Sequence, residues 1–320
     1  MKIVMLDAKT LGDDIGFDEL EALGELVVYG STAPCEVEDR IADCDVVVLN
    51  KIKLNSTNLS TAKNLKLICV TATGYDNIDV EYCAEKGIGV ANVVGYSTDS
   101  VAQLTVALVL ELAMRLPNYT RFVKSGQYTE SGIANRLEPC FYELSGKTWG
   151  IVGMGNIGKK VAKIADAFGC NVICTKRTYE DGLNVVDLPE LMKRADIISV
   201  HLPLSESTRG IISREMIALM KKDAVIVNVA RGAVIDEKAL SDAVKENRIY
   251  AASDVYSQEP FGKDHPFYEI MDRDNFVLTP HMAWGAYEAR KRVITEIAKN
   301  IAAFTSGEMR NRVDKLRPAQ

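Results

Sequence analysis

A chain of 320 residues is long for one small core and points to roughly two domains of about 150 residues each. Its formal net charge of −6, with a pI near 5.3, sets up a field that repels nucleic acid and anionic membrane. Neither is expected as a partner, and a small organic substrate is easier to accommodate.

The chain opens on a strand-like run at residues 3–6. With no room before it for a signal peptide and no apolar run of membrane-spanning length, a cytoplasmic location is expected. Further apolar strand candidates recur at 26–29, 46–49, 67–70 and 89–94, with helix-like segments between them. Short Val/Ile/Leu runs alternating with helices indicate a parallel sheet covered on both faces. The small-residued loop Thr71-Ala72-Thr73-Gly74-Tyr75-Asp76 comes after the fourth run. It reads either as a cluster of backbone N–H groups aimed at one anion or as an ordinary strand-to-helix turn.

A helix is expected from Asp99 or Ser100 to Arg115, where Val101, Leu104, Leu108 and Leu112 recur at helical spacing. Val106, Val109 and Leu110 add apolar character on other faces, so more than one partner must bury it. Residues 121–142 are polar and read as an irregular arm or interface loop. The seven cysteines, Cys35, Cys44, Cys69, Cys83, Cys140, Cys170 and Cys174, are odd in number and form no C-x-x-C pair. They read as reduced, mostly core residues and not as disulfides or metal ligands, so no metal is expected.

The second series is organised by the run Trp149-Gly150-Ile151-Val152, which breaks into Gly153-Met154-Gly155-Asn156-Ile157-Gly158 and continues as a helix. Strand, G-x-G-x-x-G turn and amphipathic helix in that order make a dinucleotide site. Gly153 gives the tight turn, Gly155 lets backbone approach a pyrophosphate, and Gly158 lets the helix pack on the strand. The pyrophosphate would rest on the helix N-terminus, with Asn156 and Ile157 in its first turn. Later strand candidates lie at 172–174, 197–200, 224–229, 250–253 and 276–278, and a last helix is expected over 286–304, returning to the first domain. The fold class expected is α/β, with two doubly wound parallel-sheet domains. A Rossmann cofactor domain (99–285) is inserted into a discontinuous flavodoxin-like substrate domain (1–98 and 286–320).

Ligands bind at the carboxyl ends of such strands. There the second series delivers the glycine turn, Lys176-Arg177, His201, Arg231, Asp254 with Glu259, and His281. Singly these are ordinary turn and cap residues; together on one edge they suit hydride transfer to a carbonyl, which needs a proton donor, a cation and a group keeping the donor protonated. Among the three histidines, His281 is the first choice for acid and base, with Glu259 favouring its imidazolium form. Arg231 offers a fork for a carboxylate. His201 reads as a cofactor-side or turn residue, and His265 as surface.

These stretches, with Gly95 to Gln103, His201-Leu202-Pro203-Leu204, Asn228-Val229-Ala230-Arg231-Gly232 and Thr279 to Trp284, make the chain resemble the D-isomer-specific 2-hydroxyacid dehydrogenases. The likeness is strongest to their hydroxypyruvate reductase (glycerate dehydrogenase) branch. The resemblance implies Arg231, Glu259 and His281 as the catalytic group and Asp254 facing the nicotinamide carboxamide. It also implies backbone N–H groups of Ala72, Thr73 and Gly74 on the substrate carboxylate, and a homodimer paired through the long helix after Ser100. Pro203, Thr208, Val229 and Ala230 join His201 in the expected cofactor-binding set. Trp284 reads either as pocket lining beside the substrate or as plain packing.

One position departs from the family's commonest form. After the second strand, Lys176-Arg177-Thr178 stands where an acid usually meets the ribose hydroxyls. Two cations there suit a 2′-phosphate, so NADP is expected ahead of NAD; the competing reading is solvated surface charge. The expected reaction is reduction of hydroxypyruvate or glyoxylate to the D-2-hydroxy acid. The rivals are a D-lactate or phosphoglycerate dehydrogenase, or a dinucleotide-sensing interaction protein resembling the C-terminal-binding corepressors.

Overall fold

The computed structural model describes residues 1–178 and 180–314, so the last six positions of the expected first domain lie outside the described residues. The chain forms two compact units, one of Met1–Ser97 plus the segment from Gly285 onward, the other Thr98–Trp284.

The first unit holds a five-stranded parallel sheet of β1 (Lys2–Met5), β2 (Glu25–Val28), β3 (Val46–Leu49), β4 (Leu67–Val70) and β5 (Gly89–Ala91). Its order, β2-β1-β3-β4-β5, is the flavodoxin-like one. β3 and β4 are buried at every position, as strands covered on both faces must be. The helix Tyr287–Thr305 packs on β4 with Val293, Ile294, Ile297 and Ile301 buried. The last helix therefore does return to the first sheet.

The second unit begins with α1 (Thr98–Met114), which packs on the sheet and on the helix of the glycine turn. Residues 121–142 depart from expectation in part: α2 (Leu116–Lys124) and α3 (Gln127–Ser131) occupy their first half, apart from the turn at 125–126, and residues 132–142 are irregular. Pro117 sits in the first turn of α2, where its missing N–H costs nothing. Gly126 and Gly132, at φ +85° and +63°, flank α3 in the left-handed conformation.

The six-stranded sheet comprises β6 (Thr148–Val152), β7 (Asn171–Thr175), β8 (Ile197–Val200), β9 (Val225–Asn228), β10 (Tyr250–Ser253) and β11 (Phe276–Leu278). All pairings are parallel, in the order β11-β10-β9-β8-β6-β7. A single parallel bridge, Cys174 to Val185, extends the sheet beyond β7. With that bridge as a vestigial third strand, the order is that of the Rossmann fold. The glycine-turn helix α4 (Asn156–Ala167) comes after β6, and α5 (Glu237–Lys245) lies between β9 and β10. Trp149 of β6 is fully buried and donates its indole N–H to Ser199 Oγ at 3.0 Å. Its area is thus buried, at about 2–3 kcal/mol, without an unpaired donor. Among the described residues no single helix is long and apolar enough to cross a membrane.

Candidate active site

Thr175, Val152, Val200, Asn228, Ser253 and Leu278 are partners in one row across the second sheet. Every candidate residue on these strands lies one to a few positions past that row, so Lys176, Gly153, His201, Arg231, Asp254 and His281 leave along one rim. Arg231 and His281 leave strands two places apart, roughly 10 Å at ordinary strand spacing.

The glycine turn fits a dinucleotide. Gly153 has φ +101°, and a Cβ on it would lie 2.9 Å from the His201 carbonyl oxygen; only glycine joins β6 to its neighbour's end this closely. A Cβ on Gly158 would stand 2.3 Å from the Gly153 carbonyl oxygen, whereas one on Gly155 meets nothing within 4 Å. Gly155 caps α4 without a side chain, which leaves the first-turn N–H groups to an anion. The turn lies where the sheet order reverses, between β6 and β8.

Lys176 is not a free cation. Its Nζ pairs with Glu180, and Lys159 Nζ of α4 lies 2.6 Å from the same carboxylate. The hydrogen bonds from Lys159 and then Lys176 pull the Glu180 carboxyl down to about 2. Glu180, two residues beyond Lys176-Arg177-Thr178, thus brings a carboxylate to this strand end. Arg177 and Thr178 are exposed and take no protein partner among the described residues.

At His201 the sequence expected a cofactor-side or turn residue. Both ring nitrogens are buried without a partner among the described residues, although part of the residue reaches solvent, and burial depresses its pKa to about 3. Pro203 is exposed, while the Thr208 hydroxyl donates to the Pro203 carbonyl at 2.6 Å and accepts from the Ser205 N–H, closing the loop on itself. Val229 and Ala230 are buried. The Asn228 side chain accepts from Ala230 N–H at 3.0 Å and donates to the Arg231 carbonyl at 3.0 Å, fixing the turn that presents Arg231. The Arg231 guanidinium donates to the Ala230 carbonyl at 2.8 Å and has no carboxylate partner among the described residues.

His281 and Glu259 meet. His281 Nδ1 donates to Glu259 Oε2 at 2.6 Å, the only polarity an ionised carboxylate allows. Glu259 Oε1 accepts the Tyr256 N–H at 3.1 Å. His281 Nε2 has no protein partner among the described residues. The histidine sits at φ +53°, a sparsely populated region for a non-glycine residue, and Asp254 holds it there. The Asp254 carboxylate, fully buried, accepts from Thr279 Oγ1 at 2.6 Å, Met282 N–H at 2.8 Å and Ala283 N–H at 2.9 Å. Burial pushes the Asp254 carboxyl up, while those donors and the charge of His281 oppose the shift. Tyr256 ties the same loop by donating its hydroxyl proton to the Thr279 carbonyl at 2.7 Å.

Arg231 connects to this pair through backbone. A Cβ on Gly232 would lie 2.0 Å from the Tyr256 carbonyl carbon and 2.2 Å from the Ser257 nitrogen, so the Arg231 turn and the Glu259 loop are in direct contact.

His265 is a correction: it is buried, not on the surface. Phe261 and Phe267 enclose its ring at 4.9 and 5.0 Å, and Nε2 lies 3.0 Å from Glu237. The polar flank Lys263-Asp264 masked the aromatic residues on both sides that bury it.

In the first unit, the 72–74 loop is tied to the chain after β5. Val93 N–H donates to the Ala72 carbonyl, Asn92 Nδ2 to the Thr73 carbonyl, and Thr73 Oγ1 to the Val93 carbonyl. The N–H groups of Ala72, Thr73 and Gly74 donate to no acceptor among the described residues. Trp284 packs against the α1-side core of the second unit.

The D-isomer specific 2-hydroxyacid dehydrogenase, NAD binding domain, matches residues 106–283. Over 330 residues the chain is 36% identical to a hydroxypyruvate reductase of Blautia hydrogenotrophica, covering 98% of this chain and 100% of that protein. Among solved structures it resembles a D-lactate dehydrogenase from Aquifex aeolicus complexed with NAD and lactic acid, at TM-score 0.86 and 29% identity over 100% of both chains. It also resembles an acyclic imino acid reductase in complex with NADPH and D-Arg, at TM-score 0.85 and 31% identity over 98% of this chain and 100% of the other. The chain belongs to the D-isomer-specific 2-hydroxyacid dehydrogenase family, nicotinamide-dependent oxidoreductases acting on 2-hydroxy acids.

Proposed function

We propose that the protein reduces a small 2-oxo acid, hydroxypyruvate or glyoxylate, to the D-2-hydroxy acid, with NADPH used ahead of NADH. The observation that carries this reading is the His281–Glu259 contact at 2.6 Å with Nε2 open among the described residues, on the same rim as an arginine that has no carboxylate partner among them. When bound, the dihydronicotinamide supplies the hydride. His281 holds on Nε2 the proton that the carbonyl oxygen gains, and Glu259 stabilises the imidazolium through Nδ1. Arg231 offers a two-pronged donor to the substrate carboxylate; in the first unit, the N–H groups of Ala72, Thr73 and Gly74, which donate to no acceptor among the described residues, offer donors to an anion. Asp254 serves here by shaping the loop that presents His281.

Both NAD and NADPH accompany the similar solved structures. The preference rests on Lys159, Lys176 and Arg177, which leave an excess of positive charge after Glu180 is counted. A homodimer accords with the exposed apolar residues Leu116, Val123, Ile133, Leu137 and Tyr142 just after α1; sedimentation as a monomer would refute it.

The test is a panel of hydroxypyruvate, glyoxylate, pyruvate and phosphohydroxypyruvate, each with NADH and NADPH. Hydroxypyruvate or glyoxylate with NADPH should give the highest kcat/KM, and His281→Gln should lower kcat by about 10²–10⁴, the usual worth of a general acid. Cofactor binding without turnover of any member of the panel would overturn the reading.

A further inference from the structure

Glu237 is the first residue of α5, and its carboxylate is almost fully buried. Sequence alone makes it an ordinary acid in a helix's first turn, where the dipole favours negative charge. The structure gives it three donors. Ser257 N–H reaches Oε1 at 2.9 Å, Ser257 Oγ reaches Oε2, and His265 Nε2 lies 3.0 Å from Oε2. His265 Nδ1 accepts the Phe267 N–H at 3.2 Å, so the ring proton is on Nε2 and points at Glu237. One turn along α5, Ser241 donates to the Pro266 carbonyl at 2.9 Å.

Ser257 and His265 bracket the segment that contains Glu259. One buried carboxylate therefore fastens both ends of the loop whose middle supplies the partner of His281. Gly232, five residues before Glu237, presses on the same peptide between Tyr256 and Ser257. Tyr256 also faces this knot, its ring edge-on to His265 at 6.2 Å, and its N–H donates to Glu259. A buried carboxylate is costly to maintain unless its donors are fixed, and here the fixed donors belong to the site loop.

We propose that Glu237 is a positioning residue for the Glu259–His281 pair, acting by pinning Ser257 and His265. The inference rests on the function proposed above for that pair, but its first readout needs no turnover. With three histidines in the chain, side-chain NMR signals can be assigned through His→Gln variants. In Glu237→Gln, which keeps the volume but leaves one acceptor oxygen for three donors, the His281 imidazole signals should move toward those of Glu259→Gln. With a 2-oxo acid the expected loss in kcat is tenfold or more, with the NAD(P)H dissociation constant within twofold of the parent. Added to Glu259→Gln, the same substitution should cost less than a further twofold, because its effect passes through Glu259. Unmoved His281 signals, or losses that multiply in the double variant, would overturn the proposal. If Glu237→Gln does not fold, Ser257→Ala, which removes one donor and keeps the carboxylate, should shift the His281 signals in the same direction; no shift would count against it. Should the parent turn over no 2-oxo acid, the proposed function fails, while the NMR comparison still decides the role of Glu237.

Discussion

Glu180 decides how much positive charge the end of β7 offers. It takes up one ammonium from α4 and one from the strand end, so Lys176 is partly neutralised toward any phosphate. Glu180→Gln should raise the ratio of kcat/KM for NADPH over NADH by a factor of roughly 2–5, the scale of one exposed charge contact. The gain should shrink at high salt, as a screened effect must. An unchanged ratio would place the 2′-substituent away from Lys159 and Lys176. Such a residue is hard to see in sequence: Glu180 lies in a polar loop and meets Lys159, 21 positions away, only once the chain has folded. Arg231 and His281 were legible as candidates because each is a polar residue just past a short apolar run, and strand ends in a parallel sheet share an edge; Glu259, six residues beyond β10, was legible only as an acid that could partner the histidine. Glu237 and His265 were not, since a first-turn acid and a histidine beside Lys263 and Asp264 carry no sign of burial.

The strand β6, its glycine turn and α4 form a single device, and its glycines do different work. Adding a Cβ at Gly158 brings carbon to 2.3 Å from a backbone oxygen, a clash that no side-chain rotation relieves. Gly158→Ala should therefore cost about 1–3 kcal/mol of stability through overpacking and weaken dinucleotide binding as α4 lifts from its turn. Gly155 is the contrast, with open space around its Cβ position and an extended backbone. Gly155→Ala should leave stability within about 0.5 kcal/mol of the parent yet lower dinucleotide affinity at least tenfold. Thermal denaturation and fluorescence titration of the pair separate the two roles. If Gly155→Ala binds cofactor as the parent does, the turn is not where the pyrophosphate rests. The element itself is readable in the sequence, because glycines, preceding strand and subsequent amphipathic helix all agree. The helices α2 and α3 were missed because none of their residues is buried, so no apolar periodicity of a core face marked them.

Both sheets share one plan, parallel strands running outward from a central switch in strand order. The near coincidence of expected and observed strands owes most to the inner strands β3, β4, β8 and β9, which are buried at every position and so are written as apolar runs. Sequence could not show the reduction of the third Rossmann strand to the bridge at Val185, since one paired residue leaves no pattern. Nor could it show that His201 buries both ring nitrogens without a partner among the described residues, and this bears on the stability of the fold as a whole. Its pKa falls from an ordinary 6.5 to about 3 on folding. Between those values the unfolded chain binds a proton that the native chain does not, so the His201 contribution is fully present above pH 6.5 and is lost as pH falls toward 3. Carboxylates held below their ordinary range, such as Glu180 and Glu296, add losses of the same sign only below about pH 4.5. The buried carboxyls of Asp7 and Asp254 are pushed up by burial and oppose the trend. The comparison that isolates His201 is therefore the parent against His201→Gln, unfolded by denaturant at pH 7.5 and pH 5.5 without cofactor. The parent should lose on the order of 1 kcal/mol more than the variant between the two, since one proton is worth about 1.4 kcal/mol per pH unit below 6.5. Equal losses would mean that the imidazole is protonated in the native fold at pH 5.5, and that it has found an acceptor or solvent.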